Sequence, residues 1–207
     1  MSEIRLSIKD GESKTFPDGT VVAEAVKELC SSKERKRVIA ARLGDRLVDL
    51  SEALHEDWVI EPITKDSPEG LHILRHSASH IMAEAVVSLY GPEVKVAIGP
   101  ATDDGFYYDF DRAAPFTPDD FDAIEARMRE IVAAARPFSR KTLSLSEAKK
   151  FFQEKGQVYK VELLDDIKDD TVSLYSQGDF VDLCRGPHIA DSSQLPAFKL
   201  IRIAGAY

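Results

Sequence analysis

Two short stretches hold residues whose types and spacing suit them to chemistry. In RHSASHIMAEAV, residues 75–86, His76 and His80 stand four apart. In DFVDLCRGPHIA, residues 179–190, Cys184 and His188 do the same. Imidazole and thiolate are zinc ligands, and the two pairs together supply the four donors of a tetrahedral site. The first pair resembles the HExxH signature of zinc proteases, but Ser77 stands where that motif needs its glutamate base. Two readings stay open on these residues alone. One is a metal or reaction site. The other is a pair of structural histidines satisfied by hydrogen bonds, with Cys184 a small buried hydrophobe.

The elements that must position these residues differ. Residues 71–90 have helical periodicity. At 100° per residue, Leu71, Leu74, Ala78, Ile81, Met82, Ala85 and Leu89 share a core side. His76 and His80 fall opposite, followed in their row by Ala83 and Val87. A solvated face would carry Lys and Glu there, so the helix is expected to be covered on both sides, with the histidines facing a cleft. Gly186–Pro187 forbids a helix between Cys184 and His188, which places both on a loop after a strand at Phe180–Leu183.

The rest of the chain reads as two units. Ile4, Leu6 and Ile8 alternate as a half-buried strand. Asp10–Gly11 turns it, and a return strand ends at Thr15–Phe16. Pro17–Asp18–Gly19 is a turn and Thr20 a helix cap, with Val22, Val26 and Leu29 as the apolar stripe. Val38–Leu43, Leu47–Val48 and Trp58–Ile60 read as strands. This β-β-α-β-β-β order over about sixty residues predicts a β-grasp domain at 1–63. The polar stretch 64–70, TKDSPEG, reads as a linker, with Ser67 able to cap the next helix and Pro68 to open it. Residues 71–207 then read as an α+β domain. Its strands are expected at Val94–Ile98, Gly105–Phe110, Lys160–Leu164, Val172–Tyr175, Phe180–Leu183 and Phe198–Ile203. Thr117-Pro118-Asp119-Asp120 marks one helix start, and Ser146 another.

Composition bounds the function. The net charge is −9, which argues against indiscriminate binding to nucleic acid. Basic residues nevertheless cluster at 31–37 and 136–141, either as a partner surface or as a solvated face. The two cysteines sit in unrelated contexts, so a reducing, cytoplasmic setting is expected. No run is long and apolar enough to span a membrane, and there is no signal-peptide core at the start. The absence of a GxxxxGK[ST] loop counts against a GTPase.

The motifs LRHSASHIMAEAV, VAIGPATDDGFYYDF, YKVELL and FVDLCRGPHI carry a resemblance that covers most of the chain. They are similar to the amino-terminal part of the bacterial threonyl-tRNA synthetases: a TGS module of β-grasp fold, then an editing domain like that of alanyl-tRNA synthetases. The resemblance implies hydrolysis of the ester in mischarged seryl-tRNA(Thr). It implies tRNA(Thr) as partner, with serine as the misattached amino acid. His76, His80, Lys160, Asp182, Cys184 and His188 match the family's editing residues, while Gly99 and Tyr108 match its substrate contacts. On the residues alone, Tyr108 is also compatible with sheet packing, Lys160 with a solvated strand position and Asp182 with a turn acceptor.

The resemblance implies that no metal is needed for editing. The alternative is a zinc-dependent alanyl-type deacylase with His76, His80, Cys184 and His188 as ligands. A further alternative is a module that only grips tRNA. The chain ends at FKLIRIAGAY, where the family runs on into its aminoacylation domain, so a fragment is expected. The ATP, magnesium and zinc of the full-length enzyme, and its homodimer contacts, would belong to that missing part.

Overall fold

The computed structural model describes residues 2–205. Contacts divide the chain into two compact units. One comprises the chain up to Leu74 together with Gly186–Ala190; the other comprises Arg75–Arg185 and the chain from Asp191 onward.

The first unit begins with β1 (Glu3–Ile8) and β2 (Ser13–Pro17), followed by α1 (Val22–Leu29) and the single turn α2 (Ser32–Arg35). Then come β3 (Val38–Leu43), β4 (Arg46–Val48) and β5 (Trp58–Thr64). The strands form one mixed sheet in the order β2-β1-β5-β3-β4, with β1 parallel to β5 and the other pairs antiparallel. This is the β-grasp arrangement. Alternation builds it: Ile4 and Leu6 of β1 point into a core shared with Val22, Ala25, Val26 and Leu29 of α1 and with Ile60 of β5. Two local details depart from the sequence pattern. Thr20 does not cap α1; Val21 holds the cap position, and the Thr20 hydroxyl donates to the Pro17 carbonyl at 2.7 Å, closing the preceding turn instead. The turn α2 is an added element, held by a capping box between Ser31 and Glu34.

The long helix α3 (Pro68–Tyr90) opens as the sequence suggests, with the Gly70 amide donating to the Ser67 hydroxyl at 3.0 Å. From Arg75 it belongs to the second unit. Next come the two-residue strands β6 (Lys95–Val96) and β7 (Phe110–Asp111), which pair with each other. A 3₁₀ turn at Pro118–Asp120, capped by Thr117, leads into α4 (Phe121–Ala133). The remaining elements are β8 (Ser139–Ser144), α5 (Leu145–Glu154), α6 (Val158–Asp165), β9 (Thr171–Gln177) and β10 (Phe180–Leu183). Strands β10-β9-β8 form an antiparallel sheet covered by α5 and α6 through Ala148, Phe152, Leu164, Val172 and Leu174. No helix among the described residues is long and apolar enough to cross a membrane.

Three sequence expectations are corrected here. Lys160–Leu164 is not a strand but the middle of α6. The Lys, Glu and Leu of YKVELL are good helix formers, and Lys160 and Leu164, four apart, are the helix's two buried positions. Phe198–Ile203 forms no strand; its β-prone side chains find no ladder partner, and its Lys199–Leu200 section is held instead by the Glu125 carboxylate. The expected strand Gly105–Phe110 contributes only Phe110 to β7; ahead of it the chain makes an isolated bridge between Ala101 and Phe106. Strand β8 is an element the pattern did not suggest, because SRKTLS is polar on both faces and four of its six residues are exposed.

Candidate functional site

The α3 helix is buried all round from Ser77 to Val86, in accord with a helix covered on both sides. Leu71 and Leu89, expected in the core, are exposed instead, because both lie near the helix ends. His80 is buried and His76 half-buried. Their rings meet edge to face at 5.1 Å between centroids.

Asp182 on β10 is the hub of the site. One carboxylate oxygen, Oδ1, accepts from the Lys160 ammonium at 2.5 Å and from the Leu183 amide at 2.8 Å. The other, Oδ2, accepts from the Tyr108 hydroxyl at 2.5 Å and lies 3.6 Å from His80 Nε2. Lys160 also donates to the Tyr108 oxygen at 3.1 Å, closing a triangle of three side chains, each at least nine-tenths buried. Such short contacts mark charge-assisted hydrogen bonds in a dry setting. Lys160 is therefore not a solvated lysine, and Asp182 is more than a turn acceptor.

Each member is set by its own element. Gln157, at the start of α6, donates to the Val94 carbonyl at 3.2 Å and accepts from the Val96 amide at 2.9 Å. That pair of hydrogen bonds ties α6 to β6 and delivers Lys160 to Tyr108. Tyr108 stacks on Phe110 at 5.0 Å and packs against Gly99 so closely that a β-carbon there would lie 2.0 Å from its ring. The Gly99 carbonyl in turn accepts from Ser79 of α3 at 2.7 Å. Ser79 is thus a positioning group that the sequence reading passed over. Its signal was a small hydroxyl inside a helix, where such residues bond to nearby backbone carbonyls.

Burial and charge set the protonation states. Burial drives the His80 pKa down to about 3, with His76 and Lys160 reinforcing it against the pull of Asp182. His80 is therefore neutral at pH 7 and a weak base. Burial pushes the Asp182 carboxyl up, but Lys160, His80 and the hydrogen bonds from Lys160 and Tyr108 outweigh it and leave its pKa below the ordinary value. Tyr108 is held well above the usual phenol range, first by burial and then by Asp182. It stays a hydroxyl.

Cys184 follows β10 and sets its sulfur 3.3 Å from His76 Nε2. The donor atoms of His76, His80 and Cys184 lie within 4.8 Å of one another. Seven of the eight predicted site positions, His76, His80, Gly99, Tyr108, Lys160, Asp182 and Cys184, thus fall within the second unit. His188 belongs to the segment Gly186–Ala190, grouped with the first unit, where it is buried and its backbone amide donates to Asp49 at 2.8 Å.

Residues 172–205, which include Asp182 and Cys184, match the family described as the threonyl and alanyl tRNA synthetase second additional domain. The whole chain is 50% identical over 207 residues to a threonine–tRNA ligase of Pelobacter propionicus, covering 32% of that protein. It is 50% identical over 199 residues to the ligase of Oleidesulfovibrio alaskensis and 52% identical over 199 residues to that of Nitratidesulfovibrio vulgaris, covering 31% of each. Its homologues are threonine–tRNA ligases. The chain spans about a third of the length of these relatives. The family match and the ligase relatives both include the Asp182–Cys184 segment, and so both include the hub of the buried triangle.

Proposed function

We propose that the second unit hydrolyses the ester of seryl-tRNA(Thr), and that the first unit is a TGS module accompanying it. The observation that carries this reading is the buried Tyr108–Lys160–Asp182 triangle set beside His76, His80 and Cys184 in a chain whose homologues are threonine–tRNA ligases. A pocket distinguishes threonine from serine by one methyl group, worth about 1–3 kcal/mol, or roughly 10–200-fold. A second sieve that admits serine and sterically rejects threonine supplies the missing selectivity.

The chemistry follows from the groups present. Ester hydrolysis needs a placed water, stabilisation of the oxyanion and a proton for the departing ribose oxygen. Lys160 contributes a buried positive charge, oriented by Asp182 and Tyr108, for the water or the oxyanion. His80, neutral and weakly basic, serves by hydrogen bonding rather than by carrying a proton at pH 7. His76 and the Cys184 thiol form the other side. Among the donors, His76, His80 and Cys184 are of the right type and spacing to hold zinc. Zinc there would supply an acidified water. Lys160, fixed near His80, disfavours a second cation, and we take the reaction to run on the side chains alone.

The test is release of serine and of threonine from charged tRNA(Thr) in a single turnover with enzyme in excess. Serine is expected to leave at least about ten-fold faster. Equal rates at every enzyme concentration would overturn the reading. Stoichiometric zinc in the purified chain, with activity lost on chelation and restored by zinc, would favour the metal-dependent deacylase instead.

A further inference from the structure

The histidine row of α3 carries a third polar side chain, one turn beyond His80. Glu84 is only 4% exposed. Its Oε1 receives the Arg136 guanidinium, and its Oε2 accepts from Gln177 Nε2 at 3.0 Å. Gln177 is 1% exposed at the end of β9, directly across from Phe180 of β10. The Phe180 ring stands edge-on to His80 at 6.2 Å, and Asp182 follows two residues later on the same strand. Gln177 Oε1 has no hydrogen-bond partner among the described residues, so Glu84 alone sets the orientation of that amide. Gly178 completes the arrangement. At φ +54° a β-carbon there would lie 2.3 Å from Arg136 Nη1 and 2.9 Å from Glu84 Oε1.

We propose that Glu84 and Gln177 are positioning residues: together they fix the rotation and register of α3 against β9–β10, and so keep His80 at Asp182 and His76 at Cys184. The catalytic part of this inference rests on the deacylase reading above. Apolar packing along a helix tolerates small slides, whereas a charge-assisted bond to one carboxylate oxygen is directional. The carboxylate is also one helical turn from the ring it controls, so a shift at Glu84 passes directly to His80. Misplacement of reacting groups by about 1 Å costs on the order of 100-fold in rate.

The experiment uses the full chain with Gln177→Glu, Glu84→Gln and the double exchange. Gln177→Glu sets two carboxylates against each other; the double exchange restores one acceptor and one amide with their places reversed. Single-turnover hydrolysis of seryl-tRNA(Thr) is read as the limiting rate constant at saturating enzyme, which does not depend on the fraction of folded protein. Gln177→Glu is expected to lower it about ten-fold or more with the half-saturating concentration little changed, and the double exchange to recover most of the loss. In parallel, the His80 ring-proton shifts, set by the nearby Phe180 and Tyr108 rings, should move in Gln177→Glu and return in the double variant. The Trp58 indole of the first unit should not change. Unmoved His80 shifts overturn the proposal whatever the rates do. So does a rate loss that the double exchange fails to restore. Absence of hydrolysis by the unaltered chain would overturn the deacylase reading instead, and the His80 shifts would then decide the positioning role by themselves.

Discussion

Replacing Lys160 with methionine isolates the energetics of the buried triangle. The change keeps an unbranched side chain only one atom shorter and removes its charge. Asp182 then stays buried with no cation, since the ammonium 2.5 Å away is gone and only His80, neutral at pH 7, stands near. Both partners are about 3% exposed, so solvent screening gives little relief. Breaking such a pair from one side typically costs about 3–5 kcal/mol, which for a chain of this size lowers the melting temperature by roughly 6–20 °C.

The pH dependence should reverse sign. In the unaltered protein the Asp182 pKa is depressed, so its contribution to stability is full above the unfolded value of about 3.9 and is lost as pH falls through the folded value. In Lys160→Met, burial prevails, and the His80–Asp182 pair binds a proton more readily in the folded state than in the unfolded chain. The variant should therefore gain stability on acidification from pH 7 to 5. Urea unfolding at several pH values, with hydrogen exchange of the β9–β10 amides, measures this, and Trp58 fluorescence reports the first unit as a control. Adding Asp182→Leu should recover most of the loss, because an apolar replacement of both charges removes the orphan. A Lys160→Met chain within about 1 kcal/mol of the unaltered protein at pH 7 would refute the reasoning. So would one that loses stability between pH 7 and 5.

Three further outcomes follow from the same geometry. Lys160→Ala should slow seryl-tRNA(Thr) hydrolysis by about 10²–10³-fold and Cys184→Ala by much less, since a thiol makes only a weak hydrogen bond; the reverse order in single-turnover rates would favour the metal reading. Gly99→Ala should drive the Tyr108 ring from its place, because 2.0 Å is far inside carbon contact distance, with a stability cost of about 1–3 kcal/mol by urea unfolding. An alanine variant as stable as the parent would show that the ring has room to yield. Prolonged treatment with a strong chelator should leave the rate and the melting temperature unchanged, and added zinc should inhibit through His76, His80 and Cys184. Loss of activity on chelation contradicts this.

What the sequence determined by itself was local. Alternation in β1, the run Val38–Leu43, the Ser67–Pro68 helix start and the Thr117–Asp120 cap all depend on neighbours a few residues apart, and all are present in the structure. The spacing of His76 and His80 also sufficed to put both on one helix, and the short motifs carried the resemblance that the ligase relatives support. Tertiary structure decided the rest. YKVELL mixes β-prone Tyr and Val with helix-forming Lys, Glu and Leu, and its packing over β9 and β10 settles it as a helix with Lys160 inside. Phe198–Ile203, with Phe and two Ile, is the more β-prone of the two and stays irregular, because β-propensity is realised only when a ladder partner is present. The buried triangle was the least legible feature. Tyr108 meets Asp182 across 74 residues and Lys160 across 52, and no periodicity reports a contact at that range. Whether a charged side chain is solvated or holds the site together depends on what the fold brings against it, and one-dimensional patterning does not contain that.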